Sequence, residues 1–163
     1  MSDLQSGWLR SGGRFEAWLG EGGELQFSKF TITFMINHGL LNPQLLSLLA
    51  RVRHTNALVI ADRGFPFWPM IETVDVSVVD NLPSVLQLIS AVRANHNFTQ
   101  AYQAEEFLKN NPAAVRQKFA AALKGIPLGY EPHVEFKKRV PLAIGLIRTG
   151  DTVQYANTIL ISG

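Results

Sequence analysis

From residue 42 onward the apolar positions switch between helical and strand spacing. Asn42 is a good N-cap and Pro43 a good first helical residue. Leu45, Leu48, Leu49 and Val52 then recur at i, i+3, i+4 and i+7, one apolar face of a helix. Ala57-Leu58-Val59-Ile60-Ala61 is short and continuously apolar, as expected of a central strand covered on both faces. Val74, Val76 and Val78 alternate with Asp75 and Ser77 and predict a second strand with one polar face. Pro83 opens another helix carrying Val85, Leu88, Ile89 and Val92. Residues 98–104 are ambiguous, a strand being one reading. Asn111-Pro112 repeats the cap-and-proline signal, and Val115, Phe119 and Leu123 follow before Gly125 stops the helix. Leu142 to Ile147 and Tyr155 to Ile161 predict two late strands joined through Arg148-Thr149-Gly150-Asp151. Helices alternating with strands point to an α/β layered sheet.

The first 34 residues do not share this pattern. They hold six glycines of the thirteen, together with Trp8, Trp18 and Phe15. Glu24-Leu25-Gln26-Phe27 and Phe30-Thr31-Ile32-Thr33-Phe34 alternate as a hairpin or edge strand would. The other reading is an appendage, residues 1–34, ahead of a functional domain at 35–163.

Composition narrows the function classes. A chain of 163 residues with 47% hydrophobic and 17% charged residues forms one domain with a proper core. A net charge of +2, with no basic run interleaved with aromatics, argues against nucleic acid as a partner. No apolar run approaches the roughly 18 residues of a membrane span. Asp3, Arg10, Arg14 and Glu16 break up any signal-peptide core, so a cytoplasmic protein is the default expectation. The absence of cysteine excludes disulfides and thiolate chemistry.

The four histidines, His38, His54, His96 and His133, are scattered without metal-ligand spacing, so no metal is expected. Dinucleotide, P-loop and hydrolase-elbow glycine motifs are absent, which leaves cofactor-free acid–base chemistry or simple binding. His54 sits between the first helix and the apolar strand, where it can serve as a helix-dipole partner or as a proton-transfer group. Asp62 follows the strand, and reads either as a turn former or as a carboxylate at the ligand edge of an open sheet. The five-residue apolar strand between them spans about 17 Å. One chain therefore holds His54 and Asp62 too far apart for one small substrate, and a site using both joins two subunits. His133-Val134-Glu135-Phe136-Lys137 supplies an imidazole, a carboxylate and an ammonium, or an exposed helical turn. Strand alternation at Tyr155-Ala156-Asn157 places a phenol and an amide on one side, a set suited to polyols.

Taken in order, these segments resemble the D-ribose pyranase family, a branch of the sugar mutarotases related to fucose mutarotase. The resemblance runs from about His38 to Gly163 and rests on His38-Gly39-Leu40-Leu41-Asn42, His54-Thr55, Asp62 with Gly64 and Pro66, and Ala104-Glu105-Glu106. It continues through His133 with Phe136-Lys137, and Ile147-Arg148-Thr149-Gly150 followed by Tyr155-Ala156-Asn157. It implies a three-layer α/β/α fold with a mixed, mostly parallel sheet, in ring-shaped and typically decameric homo-oligomers with active sites between subunits. It implies His54 as general acid and a monosaccharide bound by Asp62, His133, Tyr155, Ala156 and Asn157, with Lys137 close by and no cofactor. The alternatives are a mutarotase for fucose or another sugar, or a non-catalytic sugar-binding or regulatory oligomer. Arg53 and Asn56 stand where the family usually has Gly and Asp around the histidine, and Arg63 replaces a small residue beside Asp62.

Overall fold

The computed structural model describes residues 17–19, 25–27 and 39–163. The chain divides into two compact units, Met1–Asn37 and His38–Gly163. In the first, β1 (Ala17–Leu19) pairs antiparallel with β2 (Leu25–Phe27). The alternating residues 30–34 lie outside the described residues, as does His38.

The second unit begins with the anticipated cap. Asn42 accepts the Leu45 N–H at 3.0 Å and Pro43 opens α1 (Pro43–Arg51). There follow β3 (Ala57–Ala61), β4 (Glu72–Asp75), α2 (Val85–Arg93), β5 (Phe98–Ala104), α3 (Glu105–Asn110) and α4 (Ala113–Ala122). The chain closes with β6 (Leu128–Glu131), α5 (His133–Arg139), β7 (Gly145–Arg148) and β8 (Thr158–Ser162). The six strands of this unit form one sheet in the order β4-β7-β3-β8-β5-β6. β4, β7 and β3 run parallel, β5 and β6 run parallel, and β8 is antiparallel to both neighbours. The sheet is thus mixed and mostly parallel.

Alternation along β3 assigns the layers. Leu58 and Ile60 face a core built with Leu45 and Leu48 of α1, Val85 and Ile89 of α2, Phe107 of α3 and Phe119 of α4. Val59 and Ala61 face a second core with Phe136 of α5, Phe65 and Val140. Helices cover both faces of the central strand, which explains its uninterrupted apolar run. This is the three-layer α/β/α arrangement.

Several elements depart from the sequence pattern for local reasons. β4 ends at Asp75, and Val78 is exposed because the chain turns back there, its N–H donating to the Leu82 carbonyl at 2.9 Å. The α2 cap is Ser84 rather than Pro83: Ser84 and Gln87 exchange hydrogen bonds as a capping box. Asn111 does not cap α4; its amide donates to the Phe107 carbonyl at the end of α3 and to the Gln154 carbonyl. Leu142 lies in a short 3₁₀ turn and is exposed, so β7 starts only at Gly145. β8 starts at Thr158, and Tyr155 occupies a turn at φ +57° instead of a strand.

Candidate functional site

The carboxyl ends of β3 and β7 lie side by side, and the loops leaving them build a cleft of about 460 Å³. The segment 148–153 pins these loops together. Thr149 donates both its N–H and its hydroxyl to the Ala61 carbonyl, each at 2.9 Å. Arg148 reaches over to the next loop and donates to the carbonyls of Phe65 at 2.5 Å and of Arg63 and Pro66 at 3.3 Å. The buried Asp151 carboxylate accepts the N–H groups of Val85 and Val153, each at 2.8 Å. A side chain at Gly150 has no room, because a Cβ there would lie 2.2 Å from the Val79 carbonyl oxygen.

Into this frame project the candidate ligand-binding groups. Asp62 and Asn157 form a reciprocal pair. The Asp62 N–H donates to Asn157 Oδ1 at 2.8 Å, and Asn157 Nδ2 donates to Asp62 Oδ2 at 2.9 Å. The Gly64 N–H donates to Asp62 Oδ1 at 2.9 Å. A carboxylate has about four lone-pair positions, so Asp62 keeps acceptor capacity for hydroxyl groups. His133 opens α5 from across the cleft, and its N–H donates to Glu106 Oε2 at 2.9 Å. Its ring packs edge-on against Tyr155 at 5.0 Å and lies 6.4 Å from the Phe65 ring. Its Nε2 is buried and has no hydrogen-bond partner among the described residues. Lys137, one helical turn beyond His133, lines the same cleft. Tyr155 holds its left-handed backbone with help from the bond of Ala156 N–H to the Val153 carbonyl, at 3.3 Å.

Burial moves two of these groups. It pushes the Asp62 carboxyl above its ordinary range, against the opposing hydrogen bonds from Asn157 and Gly64. It pushes the His133 imidazole below its ordinary range, aided by the Lys137 charge and opposed by Glu106 and Asp62. A neutral imidazole, a carboxylate, an ammonium, a phenol and an amide within one cleft supply donors and acceptors for a small polyhydroxylated molecule.

The structure thus brings Asp62, His133, Lys137, Tyr155 and Asn157 to one cleft, and leaves two of the anticipated residues elsewhere. Ala156 is fully buried, with its methyl in the core beneath the cleft. His54 lies at the other end of β3, exposed on the turn that joins α1 to it. The two unusual neighbours of His54 shape that turn. Asn56 Oδ1 accepts the Arg53 N–H at 2.8 Å, and Arg53 Nη1 donates to the carbonyls of Ala50 and Val52 at 2.7 and 2.9 Å. Thr55 adopts φ +66° and donates its N–H to the Ser162 carbonyl at 3.0 Å. Arg63 does not pair with Asp62; its guanidinium forms an ion pair with Asp80 at the rim. His96 bonds Ser162 Oγ through Nε2 at 2.8 Å, away from the cleft residues. Among the described residues no three histidine or carboxylate side chains converge as a metal site requires. No described helix is long and apolar enough to cross a membrane.

Comparison with known proteins covers the same part of the chain. The sequence model of the RbsD / FucU transport protein family matches residues 35–163. D-ribose pyranase of Laribacter hongkongensis is 37% identical over 129 residues, 79% of this chain and 98% of the relative. D-ribose pyranase of Halalkalibacterium halodurans is 39% identical over 131 residues, with the same coverage of 79% and 98%. Among solved structures, Bacillus subtilis RbsD complexed with D-ribose superposes with a TM-score of 0.73 at 30% identity, covering 79% of this chain and 98% of that one. FucU from Bifidobacterium longum, at 22% identity, shares the fold with a TM-score of 0.65, covering 76% of this chain and 95% of its own.

Proposed function

This chain belongs to the RbsD / FucU transport protein family, and from that premise we propose that it is a sugar mutarotase of the D-ribose pyranase type. It interconverts pyranose and furanose forms of a free aldose, D-ribose first, without a cofactor. The observation that supports this most strongly is the convergence of Asp62, His133, Lys137, Tyr155 and Asn157 on one cleft, in a chain 30% identical to a protein solved with D-ribose.

The reaction needs only proton transfers from the protein. The anomeric hydroxyl gives up its proton, the bond between C1 and the ring oxygen breaks, and the ring oxygen gains a proton, leaving an open-chain aldehyde. A different hydroxyl then adds to C1 with the reverse transfers. Histidine is the side chain suited to giving and taking that proton near neutral pH, and one placed acid–base group contributes roughly 10²- to 10⁴-fold. His54 takes this role, with Asp62, His133, Lys137, Tyr155 and Asn157 orienting the hydroxyl groups.

His54 and Asp62 sit beyond opposite ends of the five-residue β3, a separation of about 17 Å along the strand. The complete site therefore draws His54 from a second copy of the chain, and the protein works as a ring-shaped homo-oligomer, a decamer in the reading the family suggests. Residues 35–163 form the catalytic domain, residues 1–34 are an extension, and the protein acts in the cytoplasm on free sugar. Saturation-transfer NMR tests the activity. With ribose, the wild-type protein speeds exchange between the ring forms, whereas His54→Ala abolishes that exchange and still binds the sugar. A His54→Ala variant as fast as wild type rejects the assignment, and a wild type that binds without speeding exchange points to the regulatory alternative. Running fucose and related sugars beside ribose identifies the preferred substrate.

A further inference from the structure

Ala104-Glu105-Glu106 belongs to the motif set of the chain, yet neither glutamate takes part in the chemistry above. Strands β5 and β6 are parallel neighbours whose last residues, Ala104 and Glu131, are in register. Two residues beyond each strand end stand Glu106 and His133, so the paired ends deliver them side by side. The α5 helix starts after Pro132, which has no side-chain acceptor to offer the first N–H groups. Glu106 of α3 supplies it from outside, with Oε2 accepting the His133 N–H at 2.9 Å. Its charge also faces the positive end of a helix.

We propose that Glu106 is a positioning residue of the sugar site, its carboxylate fixing the start of α5 so that His133 is held over the cleft. This rests on the mutarotase reading for the role of His133, though not for its geometry. The groups around the His133 ring are Lys137 from its own helix, Glu106 from α3, Asp62 from the end of β3, and the Tyr155, Phe136 and Phe65 rings. Removing Glu106 thus removes both a hydrogen bond and one of two negative charges that favour the imidazolium. Glutamine keeps an acceptor oxygen and drops only the charge.

The test pairs Glu106→Ala with Glu106→Gln, using ribose as the probe and following the His133 imidazole by NMR titration in the sugar-free protein. Glu106→Ala is expected to weaken ribose binding about tenfold, as loss of a charge-assisted hydrogen bond at a cap implies. Glu106→Gln restores most of that affinity. In both variants the His133 titration moves to lower pH. An alanine variant with unchanged affinity and an unmoved titration overturns the proposal, and so does a glutamine variant as impaired as alanine. If wild type neither binds sugar nor speeds exchange, the mutarotase reading fails, while the Tm values still decide the positioning claim: Glu106→Ala should melt below Glu106→Gln, and equal values would overturn it.

Discussion

Asp62 and His133 face each other across one cleft, and burial shifts them in opposite directions with opposite consequences for stability. The Asp62 carboxyl is raised above 3.8, so the folded chain holds that proton more tightly than the unfolded one. Its stabilising contribution is full below 3.8 and is lost as the pH rises through the raised value. The His133 imidazole is lowered below 6.5. Its contribution is full above 6.5 and is lost as the pH falls through the lowered value. Thermal denaturation against pH should therefore show wild type losing Tm relative to His133→Asn on acidification below pH 6.5. Relative to Asp62→Asn, wild type should gain Tm on acidification towards pH 3.8. Parallel curves for wild type and either variant would contradict the corresponding shift.

Among elements, the segment from Arg148 to Val153 organises the cleft, and its Asp151, Thr152 and Val153 also line it. It ties the loop after β3 to the start of α2 through seven hydrogen bonds to Ala61, Arg63, Phe65, Pro66 and Val85. Gly150 is its tightest point. Gly150→Ala places a Cβ 2.2 Å from one carbonyl oxygen and 2.9 Å from another, and backbone must move to admit it. The expected cost is about 2–3 kcal/mol of stability, with a parallel loss of ribose affinity, measurable by urea unfolding and by titration. A variant of wild-type stability would show that the loops are not clamped there.

The same elements show what the sequence revealed and what it hid. The α1 helix and β3 were legible because a local cap and a continuous apolar run determine them. Residues 98–104 were ambiguous because β5 carries polar Thr99, Gln100 and Gln103, the last buried against Thr158 through a 3.0 Å hydrogen bond. The β6 strand, Leu128-Gly129-Tyr130-Glu131, gave no signal: it is a four-residue edge strand, and its glycine leaves room for the Tyr102 ring, 3.0 Å from where a Cβ would lie. Asp62 could be picked out from its position at a strand end, and His133 from the imidazole, carboxylate and ammonium that 133–137 bring within five residues. Tyr155 and Asn157 reach the cleft, but through a turn at positive φ rather than by strand alternation. Glu106, Arg148 and Asp151 went unassigned because their partners lie 27, 83 and 66 residues away in the sequence. No local pattern encodes such contacts.

For the whole molecule, the decisive feature is the length of β3. A single chain presents the cleft proposed to bind sugar beyond one end of the strand and an exposed histidine beyond the other. The proposed enzyme completes each site by joining the cleft of one subunit to His54 of its neighbour, so each subunit works in two sites at once. Isologous and ring assemblies both allow such sharing. The arrangement makes inactive chains able to rescue each other. His54→Ala and Asp62→Ala are each expected to be inactive alone, and the direct test is to co-refold them in equal amounts and measure ribose ring-form exchange by saturation transfer. Random assembly should restore about a quarter of the wild-type rate, because that fraction of sites draws an intact residue from each side. A mixture as inactive as its components, in an oligomer shown to have exchanged subunits, would contradict the shared site.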